Sequence, residues 1–199
     1  KISIYNGVNW DSERVAVTPP EYEQVAESQN PVVAAIGRLV PAKGFDLLIA
    51  AWKPQFGYLF VVGDGPERGS LEALVATRDL AENVFLLGHR DSPLDYIGAA
   101  DLVVIPSRNE GFSYVFAEAL LEKTPVISTD VPIPNEVLPK QYICAIENVE
   151  AIHLLLKTSL SNVNRLEQSF ASLFDYAEKN LTLVRSRDQT LAAYEALIE

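Results

Sequence analysis

Residues 103–130 read VVIPSRNEGFSYVFAEALLEKTPVISTD, and the order of elements in that stretch decides the fold. Leu102 to Ile105 is a short apolar strand. A turn follows, then a helix from about Phe112, a Lys123-Thr124-Pro125 break, and a second strand over Val126 to Ser128. Strand, helix and strand with short joints make one βαβ unit, which demands parallel strands and a right-handed crossover. The turn between the first strand and the helix carries Glu110, Gly111 and Phe112. In open α/β sheets such turns, at the carboxyl ends of strands, are where ligands bind. A helix start offers free N–H groups and a positive dipole end to an anion, and Gly111 lets a ligand come close to the backbone.

The helix is apolar on nearly every side. Phe112, Val115, Phe116, Ala119 and Leu120 form one stripe at 100° per residue, while Ala117 and Leu121 cover much of the opposite side. A helix of that kind is buried, so Glu118 sits on a narrow polar strip, where a charge is costly without a polar partner. The alternative is that Glu118 and Glu122 share a thin solvated edge. Spacing alone does not decide this, because 27 of 199 residues are acidic, roughly one position in seven.

Further strands lead into loops at the same sheet edge. Val32 to Ile36 is a continuous apolar run of the kind buried on both faces. It delivers Gly37-Arg38-Leu39, then Pro41-Ala42-Lys43-Gly44, before a helix over Phe45 to Trp52. Arg38 and Lys43 there suit a diphosphate, Arg as a planar fork and Lys as a point charge. Alternatively, Lys43 solubilises the loop and Arg38 pairs with a carboxylate. Tyr58 to Val62 is the next strand, followed by Gly63-Asp64-Gly65-Pro66-Glu67 with Pro66 expected in the first helical turn. Gly63, Gly65 and Gly69 are off the dinucleotide spacing. The following strand, Val84 to Leu87, ends in Gly88-His89 and not in an acid for a ribose. A nicotinamide cofactor is therefore not expected. A short helix over Leu94 to Ala100, a last strand over Tyr142 to Ile146, and helices over Val149–Leu160, Val163–Lys179 and Leu181–Ile198 complete the pattern. The architecture expected is a doubly wound, Rossmann-like parallel sheet of about six strands with helices on both faces.

Composition narrows the function. Net charge is -11 without a basic stripe, which disfavours nucleic acid and direct docking on anionic lipid. A single cysteine, Cys144, excludes an internal disulfide and fits a reducing, cytoplasmic compartment. Its apolar run points to a buried thiol. His89 and His153 lack ligand-like spacing, so no metal site is expected. No methionine is present, and the chain reads as a fragment of a longer protein.

The run Glu110-Gly111-Phe112-Ser113-Tyr114-Val115-Phe116-Ala117-Glu118, followed by Pro125-Val126, resembles the C-terminal half of retaining glycosyltransferases of the GT-B fold, family 4 or group 1. Gly37-Arg38-Leu39 with Lys43-Gly44, the Gly-Asp-Gly-Pro-Glu run and Asn6-Gly7-Val8-Asn9 are similar to family segments in the same order. The resemblance implies a nucleotide-sugar donor domain over 13–180, preceded by the end of an interdomain linker (1–12). It implies a final helix (181–199) returning to an N-terminal acceptor domain outside this chain. By the same resemblance Arg38 and Lys43 hold the diphosphate, and the amides of Gly111, Phe112 and Ser113 stabilise it without a metal or cofactor. Glu110 orients the donor sugar, Glu118 takes the ribose, and His89, Arg90 and Asp91 lie along the base. For those last three, ordinary solvated loop residues is the alternative. A regular helix would separate Glu110 and Glu118 by roughly 12 Å, the order of length that separates sugar from ribose across a diphosphate. Many relatives carry Gly-Gly before the Glu of this loop, where Val131-Pro132-Ile133-Pro134-Asn135-Glu136 has prolines instead, so the loop is expected to take another path. A nucleotide-sensing module on the same scaffold is the competing reading, and a sugar-nucleotide epimerase a third.

Overall fold

The computed structural model describes residues 4–198 apart from 12 and 16. In chain order the elements are α1 (Pro20–Glu23), β1 (Val32–Ile36), α2 (Phe45–Ala51), β2 (Tyr58–Val62), α3 (Arg68–Thr77), β3 (Val84–Gly88) and α4 (Pro93–Gly98). They continue with β4 (Leu102–Ile105), α5 (Tyr114–Leu121), β5 (Val126–Thr129), α6 (Pro132–Val137), β6 (Ile143–Cys144), α7 (Val149–Leu160), α8 (Val163–Asn180) and α9 (Leu183–Ile198).

The six strands form one parallel sheet in the order β3-β2-β1-β4-β5-β6. The chain starts at the centre, steps outward through β2 and β3, then returns to lay β4 on the other side of β1. Because every crossover keeps the same hand, reversing the direction of travel moves the helices to the opposite face. Accordingly α2 packs with α3 and α7, while α5 packs with α4 and α8. The strands Val33–Ala35, Leu59–Val62 and Leu102–Ile105 are buried throughout, as a sheet covered on both faces requires.

Several boundaries differ from the expected ones. Helix α5 begins at Tyr114, two residues later than its apolar stripe implies, because Ser113 is the extended N-cap. The segment from Glu110 to Ser113 is therefore not helical, and the 12 Å spacing assumed for a regular helix does not hold over it. Pro66 precedes α3 and its N-cap Glu67, so it lies before the helix and not in its first turn. Strand β6 is cut to Ile143–Cys144 by a 3-10 turn over Lys140–Tyr142. Cys144 is half-buried, not enclosed, and burial pushes its thiol up to about 11. The last helix starts at Leu183 because Val8 pairs with the chain just before it. Val8 N–H donates to Leu181 O at 2.9 Å and Leu183 N–H to Val8 O at 2.8 Å. Of the expected linker, residues 1–3 and 12 lie outside the described residues. Leu183, Val184, Leu191 and Tyr194 of α9 are exposed. Among the described residues no helix is long and apolar enough to cross a membrane.

The loops following β1 and β4 touch at the centre of the sheet. Gly44 has φ +68°, and a Cβ there would stand 2.0 Å from Pro106 O. Gly44→Ala is expected to destabilise the protein by at least about 2 kcal/mol, from left-handed strain with the backbone clash added. Gly69→Ala, with nothing within 4 Å, should instead be neutral or stabilising by up to about 1 kcal/mol. Urea unfolding of both variants checks this, and equal stabilities would show that the two loops separate freely.

Candidate functional site

The reversal of strand order between β1 and β4 creates a switch point, where loops leaving the two carboxyl ends diverge to opposite faces. Both loops carry the charged residues singled out in the sequence. The 37–44 loop descends from β1, and its seat is the 63–67 turn. Leu39 N–H donates to Asp64 O at 3.0 Å, and Glu67 N–H to Leu39 O at 3.0 Å. A Cβ on Gly63 would stand 1.9 Å from Gly37 O. The Gly-Asp-Gly-Pro-Glu run thus supports the neighbouring loop by close backbone approach.

Lys43 lies over Gly37, its side-chain carbons near 3.5 Å from where a Cβ would be, and reaches across the switch point. Its Nζ donates to Glu110 Oε1 at 2.6 Å. Ser107 Oγ donates to the same oxygen at 2.8 Å, and Ser107 is buried. The Glu110 side chain is 9% exposed and that of Lys43 27%. This is a charge-assisted pair in a partly dry setting, with one carboxylate oxygen, Oε2, left over. Arg38 leaves the same loop exposed and without an ion pair or side-chain hydrogen bond among the described residues.

From Glu110 to Val115 no backbone N–H has a protein acceptor among the described residues. Gly111 is open, with nothing within 4 Å of a Cβ position. Phe112 is half-buried against the core and meets the exposed ring of Tyr114 edge to face at 5.0 Å. Ser113 is 2% exposed, and its Oγ has no partner, not even a capping bond. An unsatisfied hydroxyl together with a row of unpaired amides at a helix start is an anion-receptive surface.

Glu118 lies within α5, largely buried. Burial, with the Glu122 carboxylate adding to it, holds its carboxyl above the usual range. No protein group hydrogen-bonds to it among the described residues. Glu122 does not share a solvated edge with it. Arg14 clamps Glu122 at 2.6 Å and also pairs with Asp95.

In the loop after β3, Arg90 is held by protein groups while His89 and Asp91 face solvent. Arg90 donates from Nη2 to Glu21 at 2.7 Å, from Nε to the Tyr96 hydroxyl at 2.9 Å, and from Nη1 to the Leu87 and His89 carbonyls. All three of its nitrogens are engaged by the protein. His89 and Asp91 are solvated, with side chains 82% and 102% exposed and 3.7 Å between their nearest charged atoms. The loop beyond β5 forms the short helix α6, whose Glu136 accepts from Tyr5 at 2.5 Å.

Sequence reasoning missed Arg108 and Ser107. Arg108 grips Asp46 with both Nη atoms at 2.7 Å, Glu147 through Nε at 2.9 Å, and Pro41 O at 2.7 Å. The available signal was a cation in the Pro106-Ser107-Arg108-Asn109-Glu110 turn, but its partners lie 39 to 67 residues away. Concavity does not pick out this site. A groove of about 360 Å³ runs beside Tyr142, Thr158, Arg165 and Ser169, and it offers one cation and no acid.

A lysine, a carboxylate and helix-start amides unpaired among the described residues meet at the switch point of this doubly wound sheet, an arrangement suited to an anionic ligand. Residues 21–171 match the family described as glycosyl transferases group 1, and the chain belongs to that family. It is 28% identical over 175 residues to the O-antigen biosynthesis glycosyltransferase WclY of Escherichia coli, covering 86% of this chain and 49% of that one. It is 35% identical over 116 residues to the lipopolysaccharide core biosynthesis glycosyltransferase LpsE of Rhizobium meliloti, 58% of this chain and 34% of that one. The chain thus spans half or less of the length of these relatives. Among solved structures, Anabaena Alr3699/HepE in complex with UDP superposes with a TM-score of 0.84 at 23% identity, over 97% of this chain and 57% of that one. WaaG, a glycosyltransferase involved in lipopolysaccharide biosynthesis, does so at 0.77 and 22%, over 94% and 54%. The fold is that of one half of a GT-B glycosyltransferase.

Burial of Glu118 fixes a testable sign. Its carboxyl is raised in the folded state, so folding is penalised once pH exceeds the unfolded value, and the penalty is complete above the folded one. Glu118→Gln should therefore raise the melting temperature at neutral pH, with the gain fading as pH falls below about 4, where the group becomes protonated in both states. An unchanged or lower melting temperature at neutral pH would show that the carboxylate has a stabilising partner.

Proposed function

We propose that this chain is the donor-binding domain of a retaining glycosyltransferase that uses a nucleoside-diphosphate sugar without a metal. The observation that carries the reading is the Lys43–Glu110 pair set beside the unpaired amides of residues 110–115. A diphosphate laid against that helix start would meet Lys43 and Arg38, the amides of Gly111, Phe112 and Ser113, and the positive dipole end. Those groups stabilise the charge that grows on the leaving phosphate, so the reading assigns no ion. Glu110, held by Lys43 and Ser107 through Oε1, keeps Oε2 to accept from sugar hydroxyls. Glu118, buried and unpaired, is suited to accept from ribose hydroxyls. Arg90 acts here by tying Glu21 and Tyr96 to the loop after β3, while His89 and Asp91 sit on the solvent side of it. Solved relatives titled as complexes with UDP and UDP-glucose support a nucleotide diphosphate as ligand class. Retention rests on the resemblance of the Glu110 to Glu118 frame to retaining enzymes.

Titration calorimetry with UDP, GDP, ADP and the matching nucleosides, with and without EDTA, tests this. The expected result is a diphosphate preference that survives EDTA. Lys43→Ala and Arg38→Ala should each lower diphosphate affinity by about ten- to a hundredfold, the loss of a charge-assisted contact. Equal binding of nucleoside and diphosphate overturns the reading. Because Glu110 competes for the Lys43 ammonium, Glu110→Gln should tighten a nucleoside diphosphate while weakening the corresponding nucleotide sugar. Weakening of both would show that the pair does not compete with phosphate. The acceptor-binding groups are assigned to a partner domain, so residues 1–199 alone should transfer no sugar, and turnover by them would contradict that assignment.

A further inference from the structure

We infer that Arg108 is a positioning residue that holds the two switch-point loops at the separation the Lys43 ammonium needs; the inference rests on the donor-site reading above. Lys43 sits in a six-residue stretch, 41–46, touched almost residue by residue by 106–110. Pro41 O accepts from the Arg108 guanidinium at 2.7 Å, and Ala42 O accepts from the Arg108 N–H at 2.8 Å and the Asn109 N–H at 3.4 Å. Lys43 meets Glu110, the Gly44 backbone abuts Pro106 O, and Asp46 takes the guanidinium fork.

The backbone bonds converge on one carbonyl, that of Ala42. Leu39, seated on the 63–67 turn, fixes the start of the loop, whereas toward 106–110 the backbone hydrogen bonds hold it at Ala42 alone, and Lys43 is the next residue along. The guanidinium adds anchors on both sides of that point, at Pro41 and Asp46, and so ties 41–46 to 106–110 before and after Lys43. Its Nε bond to Glu147 draws in the loop after β6 and fixes the plane of the fork. Lysine could not do this, since a point charge cannot serve a carboxylate fork, a second carboxylate and a carbonyl in one geometry. Nor is Arg108 arranged to take the anion itself, because two carboxylates already compensate its charge. The Arg108 hydrogen bonds also hold the Asp46 carboxyl below its usual range.

The test is a double-mutant cycle read by calorimetry with UDP, GDP and ADP. Arg108→Ala should weaken the tightest-binding diphosphate about tenfold, the size of coupling within one shared network, and leave the matching nucleoside unchanged. In a Lys43→Ala background the same substitution should cost nothing further, because the brace acts through Lys43. A merely destabilising change would not depend on that background. Arg108→Lys should be no better than Arg108→Ala, and Asp46→Asn should reproduce the loss if Arg108→Ala folds poorly. An undiminished diphosphate affinity in Arg108→Ala and Asp46→Asn, with Lys43→Ala still impaired, overturns the brace and leaves the donor site standing. A loss that persists undiminished in the Lys43→Ala background also overturns it. Absence of diphosphate binding by the unmutated protein overturns both.

Discussion

The contact between the loops leaving β1 and β4 governs the rest of the molecule. A parallel sheet whose strand order reverses must part its helices to opposite faces, and the parting point lies between those two strands. The gap would be vacant surface if the loops diverged freely. Instead Gly44 accepts a left-handed backbone so that Pro106 can approach, and Ala42 takes hydrogen bonds from Arg108 and Asn109. The approach carries Lys43 to within hydrogen-bonding range of Glu110, and everything chemical at the site follows from that contact.

The electrostatic setting is uneven by design of the fold. The chain as a whole carries a net charge of -11, which would repel an anionic ligand. At the switch point, however, Lys43 reaches across to Glu110 beside a helix start whose amides are unpaired among the described residues. Ser107 shares the carboxylate oxygen that Lys43 binds. Deeper along α5, Glu118 sits where burial disfavours its charge. A group kept at some cost to folding inside a buried helix is the kind of feature a ligand contact would explain.

The N-terminal stretch is fastened to this domain at Tyr5, Val8 and Arg14. Tyr5 donates to Glu136, Val8 pairs with the backbone before α9, and Arg14 spans Asp95 and Glu122. Farther on, Glu21 holds Arg90, whose guanidinium also binds Tyr96. Arg90 and the Tyr96 hydroxyl outweigh burial and keep the Glu21 carboxyl low. These contacts have two consequences. The last helix cannot begin at Leu181, because its backbone is paired to Val8. Arg90, for its part, is fully engaged by its own protein.

Local patterns carried much of this in the sequence alone. Apolar runs at Val32–Ile36, Tyr58–Val62 and Leu102–Ile105 specified buried parallel strands, since only a sheet covered on both faces tolerates them. The glycine-flanked turns marked which loops bear Arg38, Lys43 and Glu110, because turn chemistry is written in neighbouring residues. What the sequence could not determine were the pairings. Lys43 and Glu110 are 67 residues apart, and Arg108 and Asp46 are 62. Their meeting depends on strand order, which no local pattern encodes. The true start of α5, the unpaired burial of Glu118 and the capture of Glu122 by Arg14 were likewise settled by tertiary packing. Hydrophobic periodicity is a property of a segment, whereas the company a charge keeps is a property of the whole sheet.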